Sequence, residues 1–290
     1  MNRRRIVLYI GGIILGLWLG FVGSTVSYRL QHSPQDFVMT TSGELGQTPV
    51  LTLSGKPHFD EHSTPGTRSL AVDRSGQGRE ITEKSPVVLS LTAFHVTARA
   101  TPEEHGRTLI VNFATPNALS RFYSDVIGQR EGSRLIVTEP ESEYSAVVSV
   151  IDILPTSLPQ EHAAIPAHDG MPAVDIVSGI PTITAGGGPV SELVYNSVIT
   201  GKGAQIGEND AVVVNYVLAD ANGQVRENTW QQGKPALLNM PEVFPGLRDA
   251  LLDARVGSRI VVAIPSRLAQ GGGDRALVVD ILAAAPAAAD

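Results

Sequence analysis

Few residues in this chain have the type and spacing for chemistry. His58-Phe-Asp-Glu-His62 places two imidazoles and two carboxylates within five positions, a donor set that suits a divalent metal. Pro57 and Pro65 flank it and oppose a helix that would align the rings, and it is not the zinc-protease pattern, so no metal site is expected. His162 and His168-Asp169 fall in a proline-rich stretch and read as solvated. Gly201-Lys-Gly203 and Gly271–Gly273 do not open helices, so neither is read as a phosphate cradle. The chain has no G-x-S-x-G and no G-x-x-x-x-G-K-[ST], which leaves serine-hydrolase and P-loop readings without support. It has 0 Cys, which excludes disulfides, thiolate metal sites and a cysteine nucleophile. Taken singly, Tyr216 is an ordinary strand tyrosine and Glu227 an ordinary turn acid. Trp230 is expected to pack under a sheet.

Any site must therefore be positioned by the elements around it, and these repeat. Residues 76–91 (GQGREITEKSPVVLSL) and 201–216 (GKGAQIGENDAVVVNY) match at an offset of 125. Arg130-Glu-Gly-Ser-Arg134 and Arg255-Val-Gly-Ser-Arg259 recur at the same offset. Val150-Ile-Asp-Ile-Leu154 and Val278-Val-Asp-Ile-Leu282 follow at 128, so the second copy is three residues longer before its last strand. Two short motifs at one constant offset indicate a tandem duplication. Within each copy, β-branched runs such as AVVVNYVLAD (211–220), SRIVVAIP (258–265) and RALVVDIL (275–282) read as strands, and Asn222-Gly223 reads as a turn. One helix is expected in the second copy, from Gly246 to about Ala254 after Pro245, with Leu247 and Leu251 on one face. Strands with one segregated helix give an α+β class with antiparallel sheets.

The chain of 290 residues is long enough for about two such domains. Its formal charge is −7, and with Arg3–Arg5 set aside the remainder holds 19 basic against 29 acidic residues. An acidic surface repels phosphate backbones, so no nucleic-acid partner is expected. After Arg3–Arg5, residues 6–28 carry no charge and as a helix would reach about 35 Å, enough to cross a hydrocarbon core. The leading arginines place the N-terminus in the cytoplasm and the rest outside. The expectation is a single-pass cell-membrane anchor at 6–28; a cleaved signal peptide with Thr25 and Ser27 as its small residues is the alternative, which would make the chain secreted. The remaining divisions are a cytoplasmic 1–5, a spacer at 29–45, a first domain at 46–154, a linker at 155–169, a second domain at 170–283, and a tail at 284–290 without a core signal.

The second copy resembles the FKBP-type peptidyl-prolyl cis-trans isomerases. The resemblance rests on an ordered series: GKG (201–203), ENDAVVVNYVLAD (208–220), RENTW (226–230), VFPGLRDALLDARVGSRIVVAIP (243–265), LAQGGG (268–273) and ALVVDIL (276–282). The first copy, about 46–154, resembles the family only through the repeat. The resemblance implies two FKBP-like domains, each an antiparallel sheet curled around one short helix, and rotation about X-Pro bonds without metal or cofactor. Carried over position by position, it implies catalytic roles for Tyr216 and Glu227 and a substrate pocket from Val243, Phe244, Leu247, Gln270 and Val279. Several family aromatics are replaced: Arg226 stands for the phenylalanine before the carboxylate, Leu247 for the floor tryptophan, and Leu268 and Gln270 for loop tyrosines. In the first copy Leu91, Phe122 and Ile151 occupy the positions of Tyr216, Leu247 and Val279. The implied function is folding assistance to exported, proline-containing polypeptide clients, with weakened activity in the C-terminal domain. The alternative is an inactive membrane-tethered module that binds an extracytoplasmic protein partner.

Overall fold

The computed structural model describes residues 28–29, 37–55, 57, 59, 68–97, 100–159, 170–270 and 272–287. The stretch expected as an anchor, apart from Tyr28, lies outside the described residues. So do His58, Asp60, Glu61, His62, His162, His168, Asp169 and Gly271. Among the described residues, no helix is long and apolar enough to cross a membrane and no cluster of metal-ligating side chains occurs.

A small sheet of β1 (Tyr28–Arg29), β2 (Val38–Ser42) and β3 (Val50–Ser54) comes first. β2 lies inside the stretch expected as a spacer, because Met39 and Leu51 on this hairpin are apolar and cover the sheet that follows. That sheet holds β4 (Ser69–Arg74), β5 (Pro86–Thr97), β6 (Ala100–Phe113), β7 (Arg134–Ser142) and β8 (Ser145–Leu154) in the order β4-β7-β8-β5-β6. Phe37, Met39, Leu51 and Phe59 pack on its outer face against Phe94, Val96, Ile136 and Val148. Its inner face holds Val87, Leu89, Leu135 and Ile151 against two single-turn helices, α1 (Pro116–Leu119) and α2 (Tyr123–Val126), joined by a 3-10 turn. The one short helix expected on this sheet is thus replaced by broken turns, in which Leu119, Phe122 and Val126 are the buried anchors.

The second unit follows the same plan. A hairpin of β9 (Ala173–Val177) and β10 (Ile180–Ala185) precedes β11 (Val194–Ile199), β12 (Asp210–Asp220), β13 (Val225–Asn228), β14 (Ala236–Asn239), β15 (Arg259–Ile264) and β16 (Arg275–Pro286). The order is β11-β15-β16-β12-β13, with β14 also pairing β12. α3 (Thr229–Gln232) follows β13, and α4 (Pro245–Leu252) crosses the inner face. The strand period of two sorts β12: Val212, Val214 and Tyr216 face α4, while Val217 and Ala219 face the hairpin with Met171, Val174 and Ile183. Pro245 at the first turn suits a helix start, and Leu247, Ala250 and Leu251 are buried against Ile260, Val262, Ile264, Leu277 and Val279. Each leucine so buried contributes about 1.5–3 kcal/mol. Gly246 permits the approach, since a Cβ there would collide with Ile264 and Leu268.

The recurring R-x-G-S-R motif makes the same turn twice. Gly132 and Gly257 both sit at φ 91°, where side chains are disfavoured. Ser133 Oγ accepts from Gly76 N–H, and Ser258 Oγ from Gly201 N–H, each at 2.9 Å. Arg134 pairs with Asp152 and Arg259 with Asp280, each bidentate with a shortest contact of 2.6 Å. The two units meet back to back through Val88, Leu109 and Leu154 of the first and Val213, Leu282, Ala283 and Ala285 of the second. The chain after Leu282 therefore does not behave as a coreless tail: it extends β16 to Pro286, with Ala283 and Ala285 buried between the units and Ala284 buried on the inner face with the α4 core.

Candidate active site

The sequence folds so that six separate segments, β14 and β16 among them, open onto one cavity of about 700 Å³ on the inner face of the second unit. β12 supplies Tyr216 and Leu218, alternate residues on one face. β13 supplies Arg226 and Glu227. Val243 and Phe244 come from the joint between a 3-10 turn (Met240–Glu242) and α4, and Leu247 from the first turn of α4. Gln270 comes from the loop before β16. Six of the seven expected site residues thus line one cavity.

Val279 is the exception. It lies opposite Tyr216 in the β12–β16 register and on the same face, but it is fully buried beneath the cavity in the α4 core. Leu277, two residues earlier on that face, does line the cavity. Leu218 and Leu277 were recoverable from the sequence by the strand period, as the i+2 and i−2 neighbours of Tyr216 and Val279. Leu237, Leu238, Asn239, Glu242 and Arg275 also line the cavity, and no sequence signal pointed to them.

Tyr216 Oη donates to Glu227 Oε2 at 2.5 Å. Burial first, then this hydrogen bond and the carboxylate charge, push the Tyr216 phenol well above its usual range, so it stays protonated. Glu227 is exposed at the rim, the phenol half-buried inside it. Arg226 does not plug the cavity: its guanidinium reaches Asp220 at 2.8 Å on the exposed side of the hairpin. Partial burial alone would raise the Asp220 carboxyl, but the backbone N–H groups of Gln224 and Asn222 and the Arg226 guanidinium outweigh it and hold it low. Trp230 packs on the opposite face of the sheet, beside the β9–β10 hairpin. The walls are Leu218, Leu237, Leu238, Val243, Phe244, Leu247 and Leu277, with no nucleophile–base pair among them. Such a site can desolvate and orient a bound group.

Residues 202–279 match the family of FKBP-type peptidyl-prolyl cis-trans isomerases. The matched segment contains all seven expected site residues. The chain is 35% identical over 79 residues to the FKBP-type peptidyl-prolyl cis-trans isomerase FkpA of Escherichia coli (strain K12), covering 27% of this chain and 29% of that one. It is 37% identical over 81 residues to the outer membrane protein MIP of Legionella longbeachae, covering 28% and 35% respectively. The chain thus spans about a third of the length of these relatives. The crystal structure of FkpA from Escherichia coli aligns over 39% of this chain and 54% of that one, with 28% identity and a TM-score of 0.33.

Of the corresponding positions in the first unit, Phe122 and Ile151 are buried and Leu91 is half-buried. Leu119 is buried beside Phe122, and the guanidinium groups of Arg121 and Arg68 lie over the Phe122 ring, 4.8 and 5.5 Å from its centroid. Arg68 also pairs with Asp125 at 2.5 Å. Burial raises the Asp125 carboxyl above its usual range, although the Arg68 charge opposes the shift.

Proposed function

We propose that the second unit is a peptidyl-prolyl cis-trans isomerase, acting on proline-containing polypeptides. The observation that carries the reading is the Tyr216–Glu227 hydrogen bond at the mouth of an apolar cavity floored by Leu247. Rotation about an X-Pro bond has a barrier of about 18–20 kcal/mol, set by amide resonance. Resonance separates charge, and water stabilises that separation. A dry apolar wall withdraws the stabilisation from the planar state more than from the twisted state, where resonance is lost. Val243, Phe244 and Leu247 supply the wall, and Tyr216, held protonated by Glu227, fixes one side of the peptide. The backbone N–H of Phe244 supplies a donor for a peptide carbonyl. Gln270 forms the outer rim, and Val279 supports the floor from below.

The activity is weakened relative to a ring-lined pocket, because Leu247 and Gln270 replace aromatic surface. The two units arose by tandem duplication. Their common strand order and the doubled R-x-G-S-R turn support this. The first unit, with its pocket position occupied by Phe122 under two guanidiniums, is structural. The uncharged run from residue 6 up to Tyr28, where β1 begins, anchors the chain as a single membrane span, and both units face the extracytoplasmic side, where exported chains fold.

One feature favours a binding-only reading: no ring floors the cavity. A prolyl-isomerisation assay on the full-length chain in detergent separates the two. The isomerase reading requires a rate above buffer that falls in Tyr216→Phe and Glu227→Ala. A rate equal to buffer across several residues before proline leaves the binding module.

A further inference from the structure

The first unit touches the segment that carries Glu227 in two ways. One is a line of hydrogen bonds. Glu131, nearly fully buried at the turn before β7, accepts at Oε1 from the Arg79 guanidinium and the Thr156 hydroxyl, each at 2.7 Å, and from Thr156 N–H at 3.3 Å. Thr156, just past β8, presents its carbonyl to Asn215 Nδ2 at 2.8 Å. Asn215 Oδ1 accepts from the Thr229 hydroxyl at 3.0 Å, and the Thr229 oxygen accepts the backbone N–H of Tyr216 at 2.9 Å. Asn215 and Thr229 are buried, so a broken link leaves a polar atom unpaired, at a cost of about 1–3 kcal/mol. The other is close approach. α3 begins at Thr229 and ends on Gly233 in a left-handed conformation, where a methyl group would meet the Phe113 ring of β6 at 3.8 Å.

Thr229 lies two residues after Glu227, and its other partner is the backbone of Tyr216. We propose that the first unit is a positioning module for the second unit's pocket: the Glu131–Thr156–Asn215–Thr229 line sets the geometry at which Tyr216 meets Glu227. Glu131 and Asn215 are positioning residues, neither touching the cavity. The kinetic consequence rests on the isomerase reading; the structural one does not.

The test uses the full-length chain and two readouts, prolyl-isomerisation kinetics and hydrogen exchange at the Tyr216 amide. Asn215→Asp keeps shape but loses the donor to Thr156. Glu131→Ala removes the acceptor, and Glu131→Gln keeps one. Asn215→Asp and Glu131→Ala each lower kcat about three- to tenfold with KM unchanged, and speed Tyr216 exchange by a similar factor. Glu131→Gln restores both. Glu131 lies outside the second unit, so its variants carry the test if Asn215→Asp fails to fold. A Glu131→Ala chain that is less stable overall, yet unchanged in Tyr216 exchange and in kcat, overturns the proposal. Faster exchange in a chain with no isomerase activity supports the positioning and overturns only the isomerase reading.

Discussion

Arg259 and Asp280 form a buried bidentate pair across β15 and β16, with contacts of 2.6 and 2.7 Å and side chains 2% and 1% exposed. Arg134 and Asp152 repeat it across β7 and β8. Removing one partner strands a charge in the core, so Arg259→Leu and Arg134→Leu are each expected to destabilise their unit by about 3–5 kcal/mol in chemical denaturation. Arg134 also donates to the carbonyls of Ser42, Gly43 and Glu44. Its loss is therefore expected to speed amide exchange in β2 and β3 as well. A change below about 1 kcal/mol in either variant contradicts the assignment of these pairs as buried structural charges.

The raised Tyr216 phenol gives a pH signature. Its folded pKa lies above the unfolded value of about 10, so its contribution to stability is complete below that pH and is lost as pH rises through the folded value. Tyr216→Phe is expected to remove that alkaline loss and to delete one late-titrating phenol from the ultraviolet titration. The hydrogen bond to Asp253, then burial, also raises Tyr195, so a second late phenol remains in the variant. Glu227→Gln removes the carboxylate charge and is expected to bring the Tyr216 titration earlier, while burial keeps it above the usual range.

Leu247 tests the claim of weakened activity. It floors a cavity of about 700 Å³, which leaves room for a larger side chain. A ring contact beyond simple burial contributes about 0.5–1.5 kcal/mol. Leu247→Trp is therefore expected to raise kcat/KM up to about tenfold with the fold intact. An unchanged or lower rate in a well-folded variant contradicts the view that the missing floor ring limits activity.

The N-terminal segment is tested by fractionation. The full chain is expected in the membrane fraction and resistant to alkaline extraction, and a chain lacking residues 1–28 in the soluble fraction. A full chain that alkali releases contradicts the anchor.

Much of the fold was legible because certain positions tolerate few residues. The R-x-G-S-R turn needs glycine at positive φ, serine to accept a glycine N–H and arginine to meet a buried aspartate, so the same residues stand at this turn in both units. The covering hairpins were not read, although Ser178 and Gly179, at φ 52° and 80°, form the turn between β9 and β10. β14 was hidden because its ALLN sequence has helical propensity and becomes strand only by pairing with β12. At the site, alternation fixed which face Val279 shares with Tyr216 but not its depth, and depth is what removes it from the cavity lining. The interface between the units was illegible, since the alanine run after Leu282 carries no periodic signal, and Ala283 and Ala285 are buried because two sheets approach there.

The most direct test compares the catalysed prolyl-isomerisation rate of the full-length chain with that of Tyr216→Phe and Glu227→Ala under one set of conditions. The account predicts catalysis above buffer in the parent chain, reduced about tenfold or more in both variants, with melting temperatures little changed. Parent and variants that all match buffer, or that all catalyse equally, contradict it.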